Sequence, residues 1–202
     1  MEPLIVPWSD ARERILELVA LRRADRPPHD HAAPAVVGIT GPMAAGKSTL
    51  ATLLGGLVLS TDRYLPDYEG LAEHEWDLPE HSDLARLRDD LARLRSGSRT
   101  LVPVWSFHSH SRVGEEAVDP SPLIVVEGLH ALARAVQPHL DVAVLVDAPR
   151  DVRWSRCVER ERTGERGWSI EYVERYFERV AEPTFNAHGR LEAARAQVIV
   201  VP

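Results

Sequence analysis

The sequence predicts an α/β protein with a parallel sheet between two layers of helices, and two observations support this three-layer fold. Apolar runs alternate with segments of helical periodicity from residue 35 to the end of the chain. A glycine-rich pattern that is typical of phosphate binding follows the first of these runs directly. Alternation of this kind is characteristic of parallel strands joined by helices. With 202 residues, the chain is long enough for one such domain and too short for two.

The segment before residue 35 is expected to lie outside the nucleotide-binding core. Residues 8–24 carry apolar side chains at helical spacing, among them Ile15, Leu18 and Val19, which predicts an amphipathic helix. Prolines in residues 26–34 predict a linker. We therefore divide the chain into an N-terminal helix and linker (1–34) and a nucleotide-binding domain (35–202).

The phosphate-binding pattern G-x-x-x-x-G-K-[ST] lies within residues 41–49, directly after the apolar run 35–39. The glycines let backbone N–H groups point at phosphate oxygens, and the following helix adds its positive dipole end. Lys47 is the only lysine among 24 basic residues and is expected to reach the β- and γ-phosphates, while Ser48 is expected to bind Mg²⁺. The predicted nucleotide-binding residues are Gly41, Ala44, Ala45, Gly46, Lys47, Ser48 and Thr49.

Two carboxylates are expected where core strands end. Asp62 follows the apolar run 56–60, and Glu127 ends the run 123–126. Ligands bind at this edge of parallel sheets, so both are candidates for chemistry. With further strands at 142–147 and 198–201, the core sheet is expected to have five strands. Helices are predicted for residues 82–95, from 148 to about 162, and from 169 to about 186.

Residues 62–120 lack a regular strand and helix alternation and are expected to form a small excursion from the core. This excursion is expected to bind the acceptor of a phosphoryl group. The whole arrangement is that of a P-loop kinase. A guanine-specific switch protein would need a second lysine in its base-reading loop, so the sequence excludes that class.

Composition favours small-molecule partners. The net charge of −7 provides no basic surface for nucleic acid, and no apolar run is long enough to cross a membrane. The single cysteine, Cys157, excludes an internal disulfide and suits the cytoplasm. The sequence leaves homo-oligomer formation open.

Four stretches resemble the uridine kinase branch of the P-loop kinases, which also holds phosphoribulokinase and bacterial pantothenate kinase. They are residues 41–49, 60–64 (STDRY), 103–112 (PVWSFHSHSR) and 125–128 (VVEG). The third is the most discriminating, since it is similar to the family's P-x-Y-D-F-x-x-H-x-R. Residues 75–80 (EWDLPE) also look like the family's segment with an aspartate that holds ribose hydroxyls.

The resemblance implies a role for each matching residue. Asp62 would be the general base and, with Ser48 and Glu127, would lie around Mg²⁺. Arg160 and Arg166 would be catalytic residues in an Arg-rich lid at about residues 158–168. The implied acceptor-binding residues are Asp77, Trp105, Phe107, His110 and Arg112.

The sequence departs from the family at Trp105 and Ser106, where uridine kinases carry tyrosine and aspartate. The expected activity is ATP-dependent phosphorylation of the 5′-hydroxyl of a pyrimidine nucleoside. Pantothenate, a ribosyl-nicotinamide or a sugar phosphate remain alternative acceptors. A nucleotide-binding regulatory protein without useful transfer is the alternative from another class.

Overall fold

A computed structural model of the protein describes residues 2–164 and 167–202. Its main sheet has six parallel strands in the order β1-β8-β7-β2-β6-β3. The strands are β1 Leu4–Pro7, β2 Ala35–Thr40, β3 Leu57–Ser60, β6 Leu123–Glu127, β7 Val142–Val146 and β8 Val198–Val201, and the separate β4 Thr100–Ser106 and β5 Ser111–Val118 pair antiparallel. The helices are α1 Ala11–Ala24, α2 Lys47–Leu54, α3 Leu84–Arg95, α4 Arg150–Arg162, α5 Ile170–Tyr176, α6 Glu182–Thr184 and α7 Arg190–Ala193. The predicted α/β class and parallel sheet are confirmed.

The prediction of five core strands is wrong by one, because β1 also belongs to the sheet. Leu4 pairs in register with Val198, and Pro7 pairs with Val201. Helix α1 buries Ile15 and Val19 in the same core cluster as residues of β2 and α2. The predicted N-terminal helix therefore packs directly on the core of the nucleotide-binding domain.

The proline-rich connection between α1 and β2 is fixed by one buried guanidinium. Arg26 donates to Oδ2 of Asp141 at 2.6 Å and to the carbonyl oxygens of Ala33 and Pro34 at 2.8 and 3.1 Å. Oδ2 of Asp141 also accepts from the backbone N–H of Val36 at 2.7 Å. These bonds attach the connection to the start of the strand that leads into the phosphate loop (residues 41–49).

The predicted excursion is a helix followed by a hairpin, and we call residues 62–120 the acceptor segment. Asp83 caps α3 by accepting from the N–H of Arg86. Residues 107–110 form the turn that joins β4 to β5. Strand β5 was not predicted, since nearly all of its side chains are exposed and it lacks an apolar face.

The last helical region runs further than predicted, to residue 193 rather than about 186. Helices α5, α6 and α7 are joined by the π-helical turns Phe177–Ala181 and Phe185–Gly189. Within the described residues, no helix combines the length and apolar character that a membrane span requires.

Candidate active site

The phosphate loop takes a backbone shape that its glycines make accessible. Gly41 has a φ of +153°, and a Cβ there would lie 2.3 Å from the carbonyl oxygen of Val146. Gly46 has a φ of +113°. Lys47, the first residue of α2, donates from Nζ to the carbonyl oxygen of Pro42 at 2.9 Å. The ammonium thus lies over the loop, where it can neutralise phosphate oxygens.

Two arginines of α4 hold the loop from outside, and sequence analysis missed both. Arg153 is buried, forms a two-pronged ion pair with Glu182, and donates to the carbonyl oxygen of Met43 at 3.4 Å. Arg156 donates to the carbonyl oxygen of Ala45 at 2.9 Å. Their spacing of three residues, which places both on one face of a helix, was the available signal.

The predicted magnesium ligands lie close to one another. The hydroxyl of Ser48 donates to Oε2 of Glu127 at 3.2 Å. Burial raises the pKa of Glu127, and the negative charge of Asp62 raises it further, while Lys47 lowers it. A hydroxyl and two carboxylates in one place suit Mg²⁺, because this ion prefers hard oxygen ligands. Its charge would also relieve the electrostatic repulsion between Asp62 and Glu127.

A close backbone approach brings the two carboxylates together. Gly128 follows β6 with a φ of +134°, and a Cβ there would lie 2.0 Å from Oγ1 of Thr61. Ser60 accepts from the N–H of Asp62 at 3.3 Å and so starts the short turn that carries this aspartate. Any larger residue at position 128 would push Asp62 away from Glu127.

Asp77 is a buried carboxylate held by two phenols. Tyr68 donates to Oδ1 at 2.8 Å, and Tyr176 donates to Oδ2. Burial raises the pKa of both tyrosines, and the charge of Asp77 raises it further, so both remain donors. Nε2 of His130 donates to the carbonyl oxygen of Asp77 at 3.0 Å. Sequence analysis missed Tyr68, Tyr176 and His130, which have no distinguishing pattern in the sequence.

The aromatic residues of the acceptor segment pack on one another. Trp105 is 8% exposed, and its Nε1 donates to the carbonyl oxygen of Pro66 at 3.0 Å. Its ring meets Phe107 edge-on, with 5.0 Å between ring centroids. His110 has a φ of +51°, and its Nε2 is buried without a hydrogen-bond partner among the described residues. Burial lowers the pKa of His110, so its ring is neutral.

One cleft collects most of the predicted site residues. Those that line it are Gly41, Ala44, Gly46, Lys47, Ser48, Thr49, Asp62, Asp77, Phe107, Glu127 and Arg160. Ala45, Trp105, His110 and Arg112 do not belong to this lining. The side chain of Arg112 is exposed and lies 3.7 Å from the carboxylate of Asp83. Arg166 lies outside the described residues.

The described part of the predicted lid lies beside the cleft and the acceptor segment. Arg160 reaches the cleft from the last turn of α4. The carboxylate of Glu161 accepts from the N–H of Trp168 at 3.1 Å. The Trp168 ring then packs on His110 and Phe107 at centroid distances of 5.9 and 6.3 Å. The lid and the acceptor segment therefore meet through aromatic side chains.

The family model described as "Phosphoribulokinase / Uridine kinase family" matches residues 60–201. The uridine kinase of Escherichia coli (strain K12) is 31% identical over 168 residues, which cover 74% of this chain and 78% of that protein.

Two solved structures share the fold. A protein described as a fructose transport system kinase, from Silicibacter sp. TM1040, superposes with a TM-score of 0.67 at 20% identity and covers 93% of this chain and 98% of its own. D-glycerate 3-kinase from Cryptococcus neoformans gives 0.64 at 17% identity and covers 88% and 86%. The sequence matches place the chain among the kinases, and it belongs to the phosphoribulokinase and uridine kinase family.

Proposed function

We propose that this chain transfers the γ-phosphoryl group of ATP to the 5′-hydroxyl of a pyrimidine nucleoside. The observation that carries the proposal is that Lys47, Asp62 and Asp77 line one and the same cleft. Phosphoryl transfer needs the donor, the acceptor hydroxyl and a proton acceptor in line. The cleft provides a residue for each of these tasks.

At the donor end, the phosphate loop and Lys47 bind the phosphates and neutralise the β- and γ-oxygens. Mg²⁺ held by Ser48, Asp62 and Glu127 would supply further positive charge to the phosphates. Arg160 lines the same cleft and adds a positive charge that can stabilise the phosphoryl group during its transfer.

At the acceptor end, Asp62 is the group that orients the attacking hydroxyl and accepts its proton. Asp77 is the partner for the two ribose hydroxyls, because a buried carboxylate offers strong acceptors at a fixed position. Phe107 lines the cleft and is braced edge-on by Trp105, so Phe107 takes the contact with the attached ring. Trp168 packs on both Phe107 and His110.

A smaller acceptor, such as a sugar or a hydroxy acid, is the second candidate. Both oxygens of Asp77 already accept from tyrosines, and the N–H of Trp105 is bonded to Pro66. A nucleoside has to compete for these groups, whereas a smaller alcohol needs fewer of them.

The test is to compare kcat/KM for uridine, cytidine, their 2′-deoxy forms, fructose, glycerate and pantothenate. The proposal requires that a pyrimidine ribonucleoside is the best acceptor and that its deoxy form is worse by about 5- to 150-fold, since a buried polar group left unpaired costs roughly 1–3 kcal/mol. Preference for a sugar or hydroxy acid would establish the second candidate. ATP binding without turnover on any acceptor would indicate a regulatory protein.

A double variant tests the departure from the family directly. Trp105→Tyr with Ser106→Asp restores the residues of uridine kinases and should increase kcat/KM on uridine if the parent is weak on it. The single variant Ser106→Ala is the control, because Ser106 accepts from the N–H groups of His108 and Ser109 and shapes the hairpin turn. Equal loss in both variants would show damage to the turn rather than a change of specificity.

A further inference from the structure

We infer that Trp8 and Arg156 form the surface on which the base of the donor nucleotide rests, at the rim of the phosphate loop. The inference rests on the proposed function in one respect, since it takes the donor to be a nucleoside triphosphate. Neither residue lines the cleft that holds Asp62 and Asp77. It gives a binding role to the segment before residue 35.

The topology places Trp8 beside the phosphate loop. Strand β1 ends at Pro7, which pairs with Val201 of β8, and all neighbouring strands in this sheet run parallel. The carboxyl end of β1 therefore lies on the same edge as the end of β2, where the phosphate loop begins. Ligands of parallel α/β sheets bind outside this edge.

The indole of Trp8 lies against the glycine that precedes α2. A Cβ on Gly46 would come within 3.2 Å of Cη2 and 3.3 Å of Cζ3 of Trp8. Trp8 also packs on the core cluster that contains Ala45 and Ala148, and it remains partly exposed. An aromatic ring that is fixed by packing and still reaches solvent offers a rigid stacking surface at low entropic cost.

Arg156 lies next to the same glycine. Its Nη1 is 3.8 Å from the Cβ position on Gly46 and donates to the carbonyl oxygens of Ala44 and Ala45 at 3.2 and 2.9 Å. These two bonds hold an exposed guanidinium in place at the rim. A guanidinium plane stacks on flat rings as an indole does, so two stacking groups flank one point of the loop.

Binding of the phosphates in the loop would position the base of the nucleotide near Gly46, between Trp8 and Arg156. The N–H groups of the loop and of the start of α2 bind the phosphates, so the nucleoside part has to leave the loop at its rim. Stacking tolerates any base, because every base has a π face. Since this surface relies on two flat groups, we expect ATP and GTP to bind with similar affinity.

The experiment measures binding of Mg–ATP and of Mg–tripolyphosphate by calorimetry, with no acceptor present. The variant is Trp8→Leu, which keeps apolar volume against Gly46 and removes the aromatic ring. Trp8→Phe is the rescue variant, and Ile5→Ala is the control in β1, at a side chain that is 67% exposed. Tripolyphosphate lacks a base and reports on the phosphate loop alone.

Trp8→Leu should weaken ATP binding by about 5- to 150-fold, the range for loss of one base stack, and should leave tripolyphosphate binding within twofold. Trp8→Phe should retain most of the ATP affinity, and Ile5→Ala should match the parent. Equal loss of both ligands would overturn the inference, because Trp8 would then only support the loop. Unchanged ATP binding would overturn it too. If the parent protein bound neither ligand, the inference and the proposed function would both fail. Measurements on the parent alone would distinguish this outcome from the others.

Discussion

Tyr176 donates a hydrogen bond to Oδ2 of Asp77 and so joins the helix after the lid to the acceptor segment. The two residues are 99 positions apart in the sequence. Because the pKa of Tyr176 is raised by burial and by the charge of Asp77, the phenol stays protonated at neutral pH. The carboxylate therefore holds α5 in place, and under the proposed function the hydroxyl groups of an acceptor would compete with this phenol for it.

Tyr176→Phe should separate two roles of Asp77, which are to hold α5 in place and to bind the acceptor. Without the phenol, an acceptor hydroxyl no longer has to displace a hydrogen-bond donor from Asp77. We therefore expect the acceptor KM to fall by about 5-fold or more, which corresponds to roughly 1 kcal/mol or more of binding free energy. The melting temperature should fall, because Asp77 loses a bond. Tyr172→Phe is the matched control on the same helix, since its hydroxyl is buried without a hydrogen-bond partner among the described residues. A higher KM in Tyr176→Phe would mean that the phenol itself binds the acceptor.

Lys47→Ala should reduce kcat by at least about 100-fold and weaken ATP binding, because it removes the charge that neutralises the transferred phosphoryl group. Lys47→Arg should also be poor, since a wide planar fork does not fit where the ammonium meets the carbonyl of Pro42. Steady-state kinetics and ATP titration measure both effects, with Arg14→Ala, at an exposed side chain of α1, as the control. Parent-like turnover in Lys47→Ala would remove the donor assignment.

Asp62→Asn should lower kcat by about 100-fold or more while the affinities for ATP and acceptor stay near those of the parent, as expected for loss of a positioned general base. It should also bring the pKa of Glu127 closer to its ordinary range, because the charge of Asp62 contributes to the rise. Asp119→Asn, at an exposed side chain, is the control. A change confined to KM would make Asp62 a binding residue.

His130 predicts an acid-dependent loss of stability. Burial lowers its pKa to about 4, whereas an unfolded histidine titrates near 6.5. Between about pH 6.5 and 4, the unfolded chain binds a proton that the folded chain excludes, so the stability present above pH 6.5 is lost as the pH falls, by up to about 1.4 kcal/mol per unit. His130→Gln can still donate to the carbonyl of Asp77 but does not titrate.

The measurement is the free energy of unfolding in urea from pH 7.5 to 4.5 for the parent and His130→Gln. The curve of the variant should fall less steeply below pH 6.5. Parallel curves would show that His130 does not set the pH dependence. His139→Gln is the comparison, because burial also lowers the pKa of His139, but this residue does not line the cleft.

The sequence predicted those parts of the site that depend on local pattern. The phosphate loop needs particular residues at fixed spacing, and Asp62 and Glu127 follow strands whose apolar runs are unmistakable. Topology then brings the ends of β3 and β6 to one edge of the sheet, so Asp62 and Glu127 could be expected to lie close together.

The parts that could not be predicted depend on contacts between distant segments. Strand β1 has four residues, with prolines at positions 3 and 7, which is too short for a period to be visible. The hydrogen bonds of Tyr68 and Tyr176 to Asp77 connect residues that no local rule relates. The burial of Trp105, with its N–H bonded to Pro66, likewise follows from packing of the acceptor segment.

The pairing of β1 with β8 has a consequence for the order in which the protein folds. These two strands are neighbours in the sheet, although all of its other strands lie between them in the sequence. Contacts of such large sequence separation form late, because the entropy of closing a long loop has to be overcome first. Residues 4–7 therefore have no partner strand until the rest of the sheet has assembled. We expect Trp8 to reach Gly46 only in that final stage, so the nucleotide would stabilise the complete fold and not its folding intermediates.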